Sequence, residues 1–193
     1  MFAKYKTRGL AVTLVGALAF APAAMSAPSV QFVAGYTSVA LSPDLLNALG
    51  SLGVVPDNVL PGGLNPTSAG ATAVFPIPTG ELDAAGPKLE ILHSGGLTLT
   101  AGETRVALTS FIIENIGASG QLRLTGVVKA NDSIVGRIPL FSIVLTQAPA
   151  VQPESGSSAG KLTVRQARLK LTRTAADTLN AAFGLDGVFT SGF

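Results

Sequence analysis

Few residues in this chain could do chemistry, and the best match to a catalytic motif is the segment 156–160, which reads G-S-S-A-G. It fits the G-x-S-x-G pattern, in which a serine nucleophile stands on a sharp turn between a strand and a helix, with an acid and a histidine later in the chain. Here a Ser/Gly/Pro-rich segment precedes Ser158, and the single histidine, His93, lies upstream. The context of a serine hydrolase is missing, and we predict that the protein is not an enzyme.

Metal and phosphate sites find little support in the sequence. With one histidine and no cysteine, the chain cannot supply several nitrogen or sulfur ligands to zinc or copper. Glu81 and Asp83 have no third acidic neighbour, whereas calcium takes six or more oxygen ligands. Lys161 follows a glycine, but the glycine spacing is short and Leu162 stands where a phosphate-binding loop needs serine or threonine.

A basic segment near the end of the chain contains no acidic residue. One interpretation is the solvated face of an edge strand, where charges oppose pairing with another sheet. The other is a surface for an anionic partner. We favour the edge strand. The segment comprises Lys161, Arg165, Arg168, Lys170 and Arg173.

The elements that would position these side chains centre on residues 88–113, where three alternating runs are joined by turns at Ser94–Gly96 and Ala101–Thr104. Side chains alternate faces along a strand, so the pattern predicts an antiparallel meander. In its third run, Val106, Leu108 and Ile112 would share one face, and Ala107, Phe111 and Ile113 the other. Because both faces are apolar, we expect this strand to be buried on both sides.

The remaining elements are shorter. Residues 43–50 should form a helix, with Ser42 as its N-cap and Pro43 in its first turn, and residues 172–184 a second helix. The proline-rich residues 51–70 should be irregular, Pro76 and Pro78 should confine strand 71–77 to an edge or end it early, and 147–160 should be a flexible loop. Further strands are predicted at 30–41, 121–130, 134–146 and 162–171, with bulges near Gly126 and Gly136. We therefore predict one mainly β domain over 28–193, an antiparallel sandwich or partly closed barrel with two short helices.

The first 27 residues have the pattern of a secretory signal peptide. A positively charged start precedes the apolar run 10–21, and small residues follow up to a cleavage site near Ser26 or Ala27. The run is too short to span a bilayer as a helix, and no later run approaches that length. We expect an exported protein that is periplasmic, bound to the cell surface or secreted.

Net charge excludes one class of partner. Three of the 13 basic residues lie in the predicted signal peptide, so 10 remain against 11 acidic ones, a net charge near −1. Nucleic-acid binding requires a clustered basic surface with stacking aromatics. We predict no nucleic-acid partner, and the sequence specifies no protein partner.

A family resemblance is carried by His93-Ser94-Gly95-Gly96-Leu97, then Thr98-Leu99 and residues 105–108. These resemble the H-x-G-x-L segment and following strands of HtaA-type domains, which are secreted or surface-anchored, β-rich bacterial domains that bind haem. Leu171-Thr172, Ala175-Ala176 and Phe183-Gly184 are similar to that family's closing segment. The resemblance covers roughly residues 71–184, although Leu92 replaces the glycine expected before the histidine and no tryptophan flanks the opening strand.

The resemblance implies a haem site. In HtaA-type domains a tyrosine of the first strand ligates ferric iron and the motif histidine supports it, which carries over here to Tyr36 as the metal ligand and His93 beside it. We therefore expect an exported, non-enzymatic protein that binds a flat apolar ligand such as haem. The alternative is a structural or adhesive cell-envelope protein without a small-molecule site. The two differ in whether an apolar pocket opens beside Tyr36.

Overall fold

The computed structural model of the protein describes residues 29–83, 88–117, 121–153 and 160–192. The predicted signal peptide and Ser158 lie outside these residues. In chain order the first elements are β1 (Ser29–Phe32), β2 (Tyr36–Leu41), α1 (Pro43–Ser51), β3 (Val55–Val59), β4 (Gly63–Thr67), β5 (Gly70–Pro76), β6 (Thr79–Asp83) and β7 (Leu89–Leu92). They are followed by β8 (Gly96–Ala101), β9 (Thr104–Ile116), β10 (Gln121–Ala130), β11 (Ser133–Leu145), β12 (Ala150–Pro153), β13 (Gly160–Thr163), β14 (Ala167–Leu171) and α2 (Arg173–Phe183).

Two antiparallel sheets form the body of the protein. The large sheet has nine strands in the order β1-β6-β7-β9-β10-β11-β14, with β8 also paired to β9 and β3 to β8. The small sheet has the order β2-β5-β4, and β12 and β13 form a separate hairpin. The two sheets meet at the rings of Phe75 and Phe111, whose centroids are 5.0 Å apart at an interplanar angle of 79°. The predicted mainly β fold with two short helices is confirmed, and its form is a sandwich.

The predicted assignment of the β9 side chains to the two faces of the sheet is wrong, because the strand contains a bulge. Ser110 has φ of 52° and the ladder between β9 and β10 shifts register opposite Gly126. A bulge adds one residue and reverses which side chains face inward after it. Phe111 therefore joins Val106 and Leu108 in the core, with exposures of 4%, 0% and 8%, while Ile112 moves to the outer face.

Each helix begins at a side-chain cap, and the predicted cap at Ser42 is confirmed. The backbone N–H of Leu45 donates to Oγ of Ser42 at 3.2 Å, and that of Ala175 donates to Oγ1 of Thr172 at 3.1 Å. Each cap follows directly on a strand, β2 for α1 and β14 for α2. Among the described residues no helix is long and apolar enough to cross a membrane.

The expectation that residues 51–70 are irregular is wrong, since they contain β3 and β4. Both strands lie at sheet edges, β3 beside β8 alone and β4 beside β5 alone. A proline lacks the N–H of a ladder bond, and an edge position tolerates that loss. Pro56 and Pro66 therefore fit within these strands, although the number of prolines and glycines in the segment argues against strands there.

Of the two alternatives that its prolines offer for β5, the edge position is wrong, because β5 lies between β2 and β4, and the early end is confirmed. Pro76 is its last residue and lies beyond Val74, where pairing with β4 ends. Residues 79–83, which include Glu81 and Asp83, form β6. Within the predicted loop 147–160, residues 150–153 form β12, and 154–159 lie outside the described residues.

Candidate functional site

His93 lies in the short link between β7 and β8, which is bonded to both sheets. Its backbone N–H donates to the carbonyl oxygen of Phe111 in the large sheet at 2.9 Å. The next N–H, of Ser94, donates to the carbonyl oxygen of Pro76 in the small sheet, also at 2.9 Å. The backbone at His93 therefore joins the two layers of the sandwich.

The glycine of the H-S-G-G segment is required by a close approach of two chain segments. Gly95 has φ of 84°, and a Cβ there would stand 2.3 Å from the backbone nitrogen of Gly62. No side chain fits at that distance, and the positive φ strains any residue other than glycine. The H-x-G pattern thus has a structural cause, which is the packing of this link against the turn between β3 and β4.

The side chain of His93 is 5% exposed and contacts the small sheet through Thr37. The Nε2 atom lies 2.8 Å from Oγ1 of Thr37, while the buried Nδ1 atom has no hydrogen-bond partner. The carbonyl groups of Phe111 and Ile91 lie near the ring and favour a proton on it. The contact with Thr37 is satisfied by either tautomer of the neutral ring, because the Nε2–H group or the Thr37 hydroxyl can donate in it.

Burial dominates the electrostatics of this histidine. Desolvation lowers the pKa of His93 below its usual value, and the carbonyls of Phe111 and Ile91 offset this in part. Taking a charged imidazolium out of water costs more than taking the neutral ring. His93 is therefore neutral at pH 7 and is held in the core by its hydrogen bond with Thr37.

The space beside His93 is a small apolar cavity between the sheets. Its volume is about 40 Å³, and its walls include Thr37 and Val39 of β2, Phe75 of β5 and Ile113 of β9. Sites for small molecules and cofactors commonly have about 300–1,000 Å³. A flat ligand of the size of haem does not fit between the sheets at His93.

Tyr36 lies on the other side of the small sheet. Its neighbour Thr37 faces His93, and since successive side chains alternate, Tyr36 projects away from the cavity. The Tyr36 side chain is 73% exposed. The structure therefore does not bring Tyr36 and His93 together, and the pair that the family resemblance implies does not fit one haem site.

The other candidates are at the surface. Arg168 and Lys170 are exposed on β14, which ends the large sheet, so these two basic residues lie on an edge strand as predicted. Glu81 lies on β6, where Glu90 of β7 is its direct partner. Among the described residues no group of three or more His, Cys, Asp or Glu side chains could hold a metal ion.

Sequence reasoning missed a shallow hollow of about 300 Å³ at one end of the large sheet. Two hairpin turns meet there, since Arg105 N–H donates to Oδ1 of Asn131 at 2.8 Å and Asn131 N–H donates to the Arg105 carbonyl at 2.9 Å. Basic and acidic side chains line it together, among them Lys129 and Asp132. Only the pairing of β9 with β10 brings these residues together, so no local motif marks the hollow.

No protein-family model, curated protein or solved structure matches this chain. The resemblance to HtaA-type domains stays a prediction that rests on residues 93–97 and the segments around them.

Proposed function

We propose that this protein is an exported, non-enzymatic β-sandwich of the cell envelope with a structural or adhesive role. The observation that carries the proposal is the position of His93. This residue is 5% exposed, is bonded through Thr37 to the opposite sheet and borders a cavity of about 40 Å³. A histidine in that position holds two layers together and offers no open coordination site to a ligand.

Export is supported by the pattern of the first 27 residues, and a surface role by where the unusual side chains lie. The interior of the sandwich is filled by aliphatic and aromatic side chains around Phe75 and Phe111. Charged and large apolar side chains outside this core are on the surface, including Val33 at 83% and Leu60 at 81% exposure. Contacts with other envelope components would therefore be made by the outside of the sandwich.

A test of this proposal follows the protein in its host. We expect it in the periplasmic, surface or secreted fraction, with an intact mass that corresponds to a chain beginning near Ala27 or Pro28. Deletion of the gene should alter envelope integrity or attachment, and both the wild-type gene with its signal peptide and its His93→Gln variant should restore the phenotype. A mature species that retains residues 10–21, or a cytoplasmic location, would contradict the proposal.

A second candidate function is the binding of a flat apolar ligand such as haem on the surface at Tyr36. The favouring observation is that Tyr36, the first residue of β2, is 73% exposed and that Val33, on the connection that leads into β2, is 83% exposed. A phenolate oxygen is a suitable ligand for ferric haem iron. In this arrangement His93 would not touch the ligand.

Hemin titration separates the two candidates. If Tyr36 ligates haem, Tyr36→Phe should lose saturable binding and the tyrosinate-to-iron band, while its folding stability stays unchanged because the exposed ring is kept. His93→Ala then serves as a matched control that destabilises the fold without removing the ligand. For the envelope-structural role we expect equal, weak and unsaturable hemin association in all three proteins, since hemin adheres to apolar surfaces.

A further inference from the structure

The outer face of the large sheet, which points away from the small sheet, carries a row of five charged side chains and one serine across six strands. On each strand the neighbours of these residues point inward, as Ile113, Leu124 and Leu169 do towards the cavity. Cross-strand pairing places the row side by side. From β6 to β14 it reads Glu81, Glu90, Glu114, Arg123, Ser142 and Lys170.

Charge is segregated across this outer face. On one side, β3, β6 and β7 present Asp57, Glu81 and Glu90, all acidic. On the other side, β10, β11 and β14 present only basic residues, namely Arg123, Lys129, Arg137, Arg168 and Lys170. The strand between the two halves, β9, carries one charge of each sign at its two ends, Glu114 and Arg105.

This arrangement is unfavourable for an isolated copy. Glu90 stands directly opposite Glu81 on one side and Glu114 on the other. Like charges in direct cross-strand pairs destabilise a sheet. Among the described residues one ion pair forms, between Nε of Arg123 and Oε1 of Glu114 at 2.8 Å, which leaves Glu81 and Lys170 at opposite ends of the row without an ionic partner.

We propose that this outer face binds the same face of a second copy of the chain, related by a two-fold axis that runs along the strands between β9 and β10. Rotation about such an axis keeps the position of each residue along the strand direction and reverses the order of the strands across the interface. Glu81 of each copy then meets Lys170 of the other, and Glu114 meets Arg123. A two-fold contact of this kind uses the same patch on both copies and closes at a dimer.

The size of the face suits a specific interface. The axis superposes the six strands from β6 to β14, which at a spacing of about 4.8 Å span about 24 Å, and the ten residues of β10 at about 3.3 Å each span about 33 Å. The upper limit is therefore about 790 Å² per copy, which is close to the roughly 800 Å² per partner of interfaces of standard size. Beside the charged row runs a partly apolar one, in which Leu92, Ile112, Thr125 and Pro139 are cross-strand neighbours.

A second copy suits this face better than a polyanion does. The basic half alone would attract an anionic polymer, but the acidic residues Glu81 and Glu90 lie in the same row and would repel a chain laid across it. A copy of the same face complements both halves at once. The proposal does not depend on the envelope role and would hold for an exported protein of any function.

The test is a charge-reversal exchange on the mature protein, followed by sedimentation velocity. We expect the wild type to dimerise reversibly, with weaker association as ionic strength rises from about 0.01 M to about 1 M and screening shortens from about 30 Å to about 3 Å. Glu81→Lys and Lys170→Glu should each weaken the dimer by about tenfold or more, because each reverses two symmetric contacts. An equimolar mixture of the two variants should associate again, since the lysine introduced in one variant then faces the glutamate introduced in the other.

Controls on α2 make the same charge changes away from the face, Asp177→Lys and Arg173→Glu, and should dimerise as the wild type does. Thermal unfolding verifies that every variant is folded, and Glu81→Lys should melt no lower than the wild type because it removes a like-charge pair with Glu90. The proposal is overturned if the wild type stays monomeric throughout, if the mixture fails to associate, or if the controls weaken the dimer equally. A wild type that is monomeric but binds dextran sulfate would assign the basic half to a polyanion.

Discussion

Phe111→Ala should be the most damaging truncation in the core. The ring is 4% exposed, packs edge-on against Phe75 with centroids 5.0 Å apart, and borders the cavity of about 40 Å³. Gly126 lies against it so closely that a Cβ there would stand 2.9 Å from Cδ1 of Phe111. Since glycine has no side chain to move into the vacated space, the new void would join the existing cavity.

Truncation of a buried phenylalanine costs about 3–5 kcal/mol, of which the aromatic pair contributes about 0.5–1.5 kcal/mol. Because the site collapses poorly, we expect a loss of about 4–5 kcal/mol in the free energy of unfolding. Urea denaturation of the mature protein measures this loss. Phe111→Leu should lose less than Phe111→Ala, and Val33→Ala at an 83% exposed position should change stability by less than about 0.5 kcal/mol. A loss below about 1 kcal/mol for Phe111→Ala would place the ring outside the core and refute the bulge at Ser110.

Three further predictions concern the link at His93. Burial lowers the pKa of His93, so its contribution to the free energy of unfolding should be complete above about pH 6.5. Below that pH the free energy of unfolding should fall by up to about 1.4 kcal/mol per pH unit, until the pH reaches the pKa of the folded state. Denaturation at several pH values should show this slope, and His93→Gln should lack it. Thr37→Val keeps the shape but leaves Nε2 unpaired, so urea denaturation should show a loss of about 1–3 kcal/mol, whereas Ser38→Ala should show almost none. Gly95→Ala should impair folding severely, as measured by yield and melting temperature, whereas Gly50→Ala, where a Cβ meets nothing within 4 Å, should not.

The local elements of this fold can be predicted well from the sequence. Ser42 and Thr172 mark both helix starts, because a cap is decided within four residues. The meander follows from alternation alone. The bulge predicted near Gly126 is confirmed by the register shift there, but the extra residue lies on β9 at Ser110, where serine rarely adopts a positive φ and nothing in the run from Val106 to Ile113 indicates it. Pro56 was misjudged because its tolerance depends on an edge position that only the complete sheet defines.

The candidate site was less predictable for a related reason. Whether Tyr36 or Thr37 faces His93 is a question of register between chain segments 56 residues apart, and a shift of one residue exchanges the two faces of a strand. The family resemblance pointed to strand β2 and to the link that contains His93. It contains no information on which side chains of β2 face that histidine. The charged row from Glu81 to Lys170 depends in the same way on strand order, which alternation within each strand does not contain.

The most direct test of the envelope-structural role is the visible absorption spectrum of the mature protein purified from its native host. With His93 closed within the sandwich and no room for a flat ligand beside it, we expect a colourless protein with no haem band, and the same spectrum for Tyr36→Phe. A stoichiometric haem band that is present in the wild type and in His93→Gln but absent from Tyr36→Phe would contradict the account and establish ligand binding at the surface tyrosine.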